Sequence, residues 1–580
     1  MSIPPGEKIV ETKKCRISGE EFMVTDKDIE FYEKVSPVFG WAKILFPTPT
    51  TSPYERMIQK FAWRNERNIY RRKCGLTGRE IISMYHPDSP YIVYGQEAWW
   101  GDDWSCFEHG RAPDWDRPFF DQFDDLMHAT PLLSLSVLHL ENSEFNNCAG
   151  HLKNCYMCFD VDYLENCYYI GNSNHSNDCV DGELILGSEY LYECYNCTES
   201  NALIYSTDCS NSRDLFFCHG CTGCSNCLFC FNQTRKEYCI NNTQYSQEEY
   251  EKRKDEILKK QSYAQMLQYF QKKRKEYPVK YMHGTHNESC TGDYIYHSKN
   301  AYNCWESQNV EDCKWCFYLF DSKNCQDHLI YGNNASFTYQ CLATGLNVNS
   351  CAFCIMCWDN SKNLYYSFNA ASSENCFGCA GIKKGKNCLL NKAYSAQEYE
   401  TIAAKMVHHM SASGGTGEWW EFFPMKHSPY GYNETVAMDY TPLSLAEITR
   451  RGWRWIEREV ITSEGGYAPL DICEYDEGVV GYETAQKNID EILKSTIICS
   501  ESKRPFRLQK RELAFLIGNS LPIPRFHPQI RHNHRLQSYR AGTILYERKC
   551  SVTWEDIVTP YSPERPEKVL SEAAYQKEVY

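Results

Sequence analysis

The 580-residue sequence has no apolar run long enough to serve as a transmembrane helix. Its opening, Met1-Ser-Ile-Pro-Pro-Gly-Glu-Lys8, lacks the apolar segment of a secretory signal, so a cytoplasmic location is expected, with unconventional surface export as the alternative. There is no phosphate loop, no nucleophile elbow and no dinucleotide-binding glycine fingerprint. No thioredoxin-like βαβ pattern surrounds a Cys-x-x-Cys, and no paired carboxylates recur on one face. The chain therefore reads as a non-enzyme, with no small-molecule substrate evident. Positive charge is also short. A net charge of −15 disfavours nucleic-acid or anionic-membrane binding by the molecule as a whole.

A local absence says more. From Leu152 to Cys230, neither a charge nor an aromatic ring occupies any position of one register of three. Its 27 positions hold 12 Cys, 6 Ser, 5 Leu, 2 Ile, 1 Val and 1 Gly, while Tyr, Phe, Asp, Glu and Asn crowd the residues between. A period of three matches neither a helix nor a flat strand. It matches a chain wound into a narrow coil, with one residue in three turned inward, as in a β-solenoid. Like residues recur at 12: Ser176, Ser188, Ser200 and Ser212; Cys155, Cys167 and Cys179; Leu191, Leu203 and Leu215. That interval is the expected length of one coil. Asn154, Asn166, Asp178, Asn196, Asp208 and Asn226 precede inward cysteines and suit corners, because Asn and Asp tolerate left-handed backbone.

The coil is written twice. Residues 376–399 repeat 227–250 at an offset of 149, and both copies end in a Ser-x-x-Glu signature, Ser246 with Glu249 and Ser395 with Glu398, that predicts a capping box and a helix. The second copy keeps the period of three from Ser298 to Cys325 and from Ser361 to Cys379. Cys351, Cys354 and Cys357 stand in another phase, so an insertion or bulge is expected near 327–360. The ends form a second duplication. Cys15-Arg-Ile-Ser-Gly-Glu-Glu-Phe22 matches Cys499-Ser-Glu-Ser-Lys-Arg-Pro-Phe506, and Tyr70-Arg-Arg-Lys-Cys74 matches Tyr546-Glu-Arg-Lys-Cys550.

The winding resembles the 12-residue Cys-containing coils of beetle antifreeze proteins, without their ranked Thr-x-Thr pairs. Across nearly its whole length the chain resembles the uncharacterised cysteine-rich proteins of candidate-phyla (Patescibacteria-type) bacteria, often labelled zinc-ribbon proteins. The likeness is carried by Phe22 to Tyr32, Arg64-Asn65-Glu66, Ile81-Ile82-Ser83, Trp99-Trp100, Arg117-Pro118-Phe119-Phe120, the Asn-Cys coils and Leu521-Pro522-Ile523-Pro524-Arg525. It implies an architecture and no established activity. Relatives pair Cys-x-x-Cys motifs in their terminal modules. Here Ser52-Pro53-Tyr54-Glu55 and Ser571-Glu572-Ala573-Ala574 stand in those places, and one or two thiols cannot hold a four-ligand zinc site. The fold expected is mainly β with α+β ends. A degenerate zinc-ribbon-like module spans 1–130 and a first β-solenoid 131–245. A helical connector follows at 246–280, then a second solenoid at 281–394. A helical cap and linker at 395–480 leads to a C-terminal ribbon-like module at 481–580.

The 32 cysteines invite two readings. A thiol is a small buriable group that exchanges with Ser, Val and Leu inside a tight coil. Alternatively, a column of thiols can bind zinc, copper(I) or an iron–sulfur cluster. The metal reading centres on the consecutive inward Cys218, Cys221, Cys224, Cys227 and Cys230, joined by Cys194, Cys197 and Cys209 and, in the second copy, by Cys351, Cys354, Cys357, Cys376 and Cys379. If the protein is exported, pairs six apart, such as Cys221 with Cys227 or Cys224 with Cys230, could be disulfides. Two basic stretches, Arg64, Arg67, Arg71 and Arg72 near one end and Arg525, Arg531, Arg535 and Arg540 near the other, could contact the phosphates of RNA, or else form ion pairs with the abundant acids. His527, His532 and His534 could bind metal. Trp99-Trp100-Gly101-Asp102-Asp103-Trp104 could be a sugar platform or an aromatic lid on the first coil. Function is accordingly expected to be a non-enzymatic scaffold that binds a protein partner or itself. The alternatives are a metal store and an RNA- or ribosome-associated protein acting through its basic ends.

Overall fold

The residue before each inward position has left-handed backbone. In the computed structural model this holds for Asn154 (φ 57°), Met157 (53°), Asp160 (57°), Tyr163 (53°), Asn166 (56°) and Tyr169 (61°), and the rhythm continues through Phe217, Phe229 and Arg235. The corners expected at Asn and Asp are therefore present, and bulky residues adopt the same turn. Left-handed backbone costs a residue with a Cβ about 1–2 kcal/mol. The offsetting gain is a parallel ladder in which each segment hydrogen-bonds its counterpart one coil on: Asn147 to Phe159, Phe159 to Gly171, Arg213 to Ser225, Ser225 to Glu237. Single bridges on other sides of the winding keep the same step, as in Tyr156 to Tyr168 and Thr198 to Ser210. Corner amides stack along it, Asn154 donating to Asn166 at 3.2 Å.

The fold is mainly β with parallel sheets, and helices flank them. The structure describes residues 3–40, 42–183, 185–330, 361–411, 415–457 and 485–579, together with the backbone of strands 342–344 and 352–357. The first ladder runs from Val137–Glu141 to Glu237–Ile240 and buries the inward column from Leu152 to Cys239. The second begins at Gly284–Thr285 and ends at Lys386–Leu389. Its register is uneven. Gly284 to Ile295 is a step of 11, Lys299 to Glu311 a step of 12, and Ala352 to Tyr365 a step of 13. Leu342 to Ile355 and Ile355 to Phe368 are two successive steps of 13, in the stretch where an insertion or bulge is expected, and they set Cys354 and Cys357 out of phase with Ser367 and Ala370. The two ladders touch flank to flank, Tyr294 donating its hydroxyl to Asp208 at 3.3 Å and Asn196 its amide to the Tyr296 oxygen at 3.4 Å.

Both helices of the repeat form, Gln247–Lys260 and Ala396–Met410. Only Ser395 has the full capping box; at Ser246 the serine accepts from the Glu249 amide, but the Glu249 side chain pairs with Arg253 instead. Helix Tyr263–Arg274 covers the first ladder with Met266 and Phe270, against Phe217 and Phe231.

The terminal duplication is fourfold. Hairpins at 9–25, 70–83, 497–506 and 546–559 each turn at a cysteine: Cys15, Cys74, Cys499 and Cys550. In each, the residue four positions on donates its amide to the cysteine carbonyl, at 2.9, 2.9, 3.1 and 3.0 Å, from left-handed Gly19, Gly78, Lys503 and Trp554. The chain crosses over when these modules dock. Phe46, Ile58 and Phe61 near the N-terminus pack with Phe317 and Tyr366 of the second ladder, whereas Leu513, Leu516 and Leu521 near the C-terminus pack on the first. The last hairpin and helix Glu572–Val579 close on the start of the second ladder through the strand pair Val279–Lys280 and Val569–Leu570. Trp99 is no lid on the first coil. It packs with Leu133 and Ala371, and Lys383 lies 4.5 Å above the Trp104 ring, so the tryptophans cover the late coils of the second ladder.

Candidate functional site

The thiol column is the first candidate. All described cysteines are free thiols, so the pairs Cys221 with Cys227 and Cys224 with Cys230 are not disulfides. Within the first ladder each inward sulfur lies close to the carbonyl two residues before it and, in most cases, to the one nine residues after it. For Cys218 these are Phe216 and Cys227, at 3.3 and 3.5 Å; for Cys221, His219 and Cys230, at 3.7 and 3.5 Å; for Cys194, Tyr192 and Leu203, at 3.3 and 3.1 Å. Cys197 reaches Tyr195 and Ser206, and Cys379 reaches Phe377 and Cys388, in the same way. Inward serines do likewise, Ser200 donating to Thr198 at 2.9 Å.

Burial raises the thiol pKa of Cys209 to about 12 and pushes Cys218 well above the usual range. Hydrogen bonds donated to neighbouring sulfurs raise Cys221, Cys227, Cys230 and Cys376 as well. Cys224 and Cys239, nearer the end of the column, are instead lowered to about 7, chiefly by hydrogen bonds from Cys221 and Cys230. A protonated thiol donating to a carbonyl is not poised as a metal ligand, since ligation needs the thiolate. Among the described residues no three Cys, His, Asp or Glu side chains come together in a group that could hold a metal ion. Cys351 and the side chains of Cys354 and Cys357 lie outside the described residues.

The four terminal hairpins each hold one thiol, Cys15, Cys74, Cys499 and Cys550. A hydroxyl, from Ser18, Thr77, Ser502 or Thr553, stands three residues on and hydrogen-bonds the sulfur. Burial alone would raise these thiols, but the hydroxyls and backbone amides outweigh it, and Cys550 falls to about 6. One sulfur and one hydroxyl do not make a zinc site.

The second candidate is the junction of both ladders and both ends, where most of the sequence-predicted arginines lie. Helix Pro528–Tyr539 turns Arg531 and Arg535, four residues apart, onto one face. Both are buried against Asp181 of the first ladder, Arg535 at 3.5 Å, and Arg531 also lies 3.9 Å from Glu512. His532 binds Glu183 of the first ladder and lies 3.2 Å from Asp439. Arg540 reaches Glu306 of the second ladder at 2.7 Å and stacks 3.9 Å from the Tyr440 ring. Arg64 pairs with Glu66 and, at 2.7 Å, with Asp160. Of the two choices left by the sequence, these four arginines take the ion pair. Arg72 is tied to the carbonyls of His86 and Tyr91, Arg525 is half-buried, and Arg71 is exposed beside Glu80. The histidines part company: His527 caps its helix, and His534 contacts Glu501.

Burying so many charges shifts their protonation. Burial and the neighbouring Glu66 raise the Asp160 carboxyl to about 8 against the pull of Arg64. Burial likewise raises Glu512 to about 7, opposed by Arg531. Glu183 is pushed up by burial too, yet His532, Arg535 and Arg67 override this and hold it at about 2. His532 is raised, since Glu183 and Asp439 outweigh its burial and the nearby Arg67.

Above this junction lies a cleft of about 600 Å³, lined by Arg67, Glu434, Tyr440, Trp455, Asn533 and Arg540 among others. Sequence reasoning missed it, because its walls come from residues 66–68, 433–456 and 529–542, which share no motif. No protein-family model matches the chain, and no curated protein matches it.

Proposed function

We propose that the chain is a non-enzymatic scaffold built on two closed 12-residue β-solenoids whose inward thiols pack the axis. The terminal modules, degenerate zinc ribbons in this reading, act as clamps that bind each solenoid from outside and hold the pair together for a protein partner or a further copy of the chain. The observation that carries this is the carbonyl contact that inward cysteines make all along the first ladder, and that inward serines such as Ser188, Ser200 and Ser212 make in the same way. A thiol so placed does the work of a packing group.

The rival is a metal store using zinc, copper(I) or iron–sulfur on Cys218–Cys230. It draws support from Cys224 and Cys239, lowered to about 7 at that end of the column, while Cys155 at the other end is lowered to about 4 by hydrogen bonds from Cys158 and Cys167. Transition-metal content of natively purified protein, with thiol titration before and after denaturation, separates the two. The scaffold reading expects a metal-free folded chain whose axis thiols react only after unfolding. One or more metal ions per chain, released together with thiol reactivity, would put the metal store in its place. An RNA-associated function through the ends would require salt-sensitive RNA binding that weakens on Arg71→Gln.

A further inference from the structure

The cleft over the junction holds a cation without a partner. Arg67 makes no ion pair or hydrogen bond with any described residue; its guanidinium lies 5.0 Å from the face of Phe159, and its Nε is buried without an acceptor. The neighbouring charges are all answered. Glu66 is taken by Arg64, Asp439 and Glu183 by His532, and Glu306 by Arg540. Glu434 accepts from the Tyr70 hydroxyl and the Gly431 amide. Arg540, nine-tenths buried, carries a second buried Nε without an acceptor on the same wall. The ladder makes room for Arg67: a Cβ on Gly171 would stand 3.1 Å from its Nη1.

The other walls have a distinct chemistry. Helix Pro528–Tyr539 is two-faced, with Arg531 and Arg535 turned to the ladder and Gln529, Asn533 and Gln537, spaced by four, at the cleft. Trp455, Ile456, Val436 and Pro442 make an apolar wall opposite. A volume of about 600 Å³ lies within the range of small-molecule sites, and apolar walls with a few convergent polar groups are their usual make-up. A guanidinium fork is matched to oxyanions, which it binds bidentately.

We propose that this cleft binds a small molecule bearing an oxyanion, its charged group on Arg67 with the Arg540 Nε beside it, and its apolar body against Trp455 and Ile456. Phosphate, sulfonate and carboxylate share the required chemistry.

The test is calorimetric titration of the full chain with phenyl phosphate, benzoate and the neutral benzamide. Saturable one-to-one binding of phenyl phosphate or benzoate is expected, with benzamide weaker by about tenfold or more, as the loss of a charged hydrogen-bonding partner predicts. Whichever anion binds more tightly identifies the head group. Arg67→Gln should weaken the better anion about tenfold, Arg67→Lys less, and Arg71→Gln, on the exposed hairpin, not at all. Gln537→Trp, which fills the exposed rim and removes no buried charge, should block binding while leaving the melting temperature unchanged, so the proposal stays testable if Arg67→Gln fails to fold. Equal affinity for benzamide and the anions, unchanged binding in Arg67→Gln or Gln537→Trp, or no binding of either anion at millimolar concentration would overturn it.

Discussion

The two ladders are built from the same repeat and differ in how strictly they keep it. The first holds a step of 12 in its paired strands from Val137 to Glu237. The second passes through steps of 11, 12 and 13. What must be kept is therefore the inward position and the left-handed residue before it; the number of residues between coils can vary where the backbone allows. Gly292 is such a place. It has φ +140°, and a Cβ there would lie 1.6 Å from the Cys304 carbonyl oxygen. Gly182 in the first ladder has the Ile185 side chain in front of its missing Cβ, and the nearest backbone atom, the Cys194 carbonyl oxygen, would be in ordinary contact at 3.5 Å. One glycine is demanded by backbone, the other by a side chain that can turn away.

The largest predicted effect breaks the clamps. Asp327 of the second ladder receives Arg56 at 3.1 and 2.8 Å and Lys60 at 3.6 Å, all buried. Asp327→Asn removes the buried carboxylate that Arg56 and Lys60 share and should cost about 3–5 kcal/mol in chemical denaturation. Asp181→Asn in the first ladder should cost less, because the Asp181 oxygens face Arg531 and Arg535 without hydrogen-bond geometry. Equal losses would mean that the two clamps are alike. Next comes the glycine pair. Gly292→Ala is expected to lose about 2–3 kcal/mol from strain and overlap, and Gly182→Ala under about 1 kcal/mol. Equal midpoints for the two variants would remove the distinction between the ladders.

The pH dependence is a third test, and it addresses the first ladder's charged seam. Glu512 titrates at about 7 when folded, against an ordinary 4.5, so the stability it contributes is full below pH 4.5 and lost as pH rises towards 7. Glu183, held at about 2, acts in the opposite sense: its contribution is present above pH 4.5 and lost as pH falls towards 2. Glu512→Gln should flatten the decline between about pH 4.5 and 7 and leave the acid limb in place; denaturation midpoints across that range decide it. The smallest effect belongs to the axis. Cys209→Ser should cost under about 1.5 kcal/mol, since a serine hydroxyl can keep the contact with the Thr207 carbonyl that the thiol makes at 3.3 Å. A much larger loss, or loss of a bound metal, would count against the packing reading.

Much of this architecture was legible in the residues, and for a physical reason. The buried column from Leu152 to Cys239 takes small or aliphatic groups, so its period of three and the step of 12 between parallel strands are printed in composition. The corners at Asn and Asp and the 149-residue repeat follow from local backbone preference. The kinship of all four hairpins was harder to see, because Cys74 and Cys499 keep little in common beyond a cysteine and a hydroxyl three residues on. The basic stretches did not show which arginines are buried. Arg531 and Arg71 look alike in sequence, yet one is sealed against Asp181 and the other is exposed.

The sequence by itself determined the parallel ladders and their step of about 12, because each strand is specified by hydrogen bonds to the strand next to it. Only the tertiary structure decided which terminal module clamps which ladder, which arginines are buried and where a cleft is left. Those outcomes depend on partners as distant as Arg56 with Asp327 and His532 with Glu183, and no local pattern encodes them.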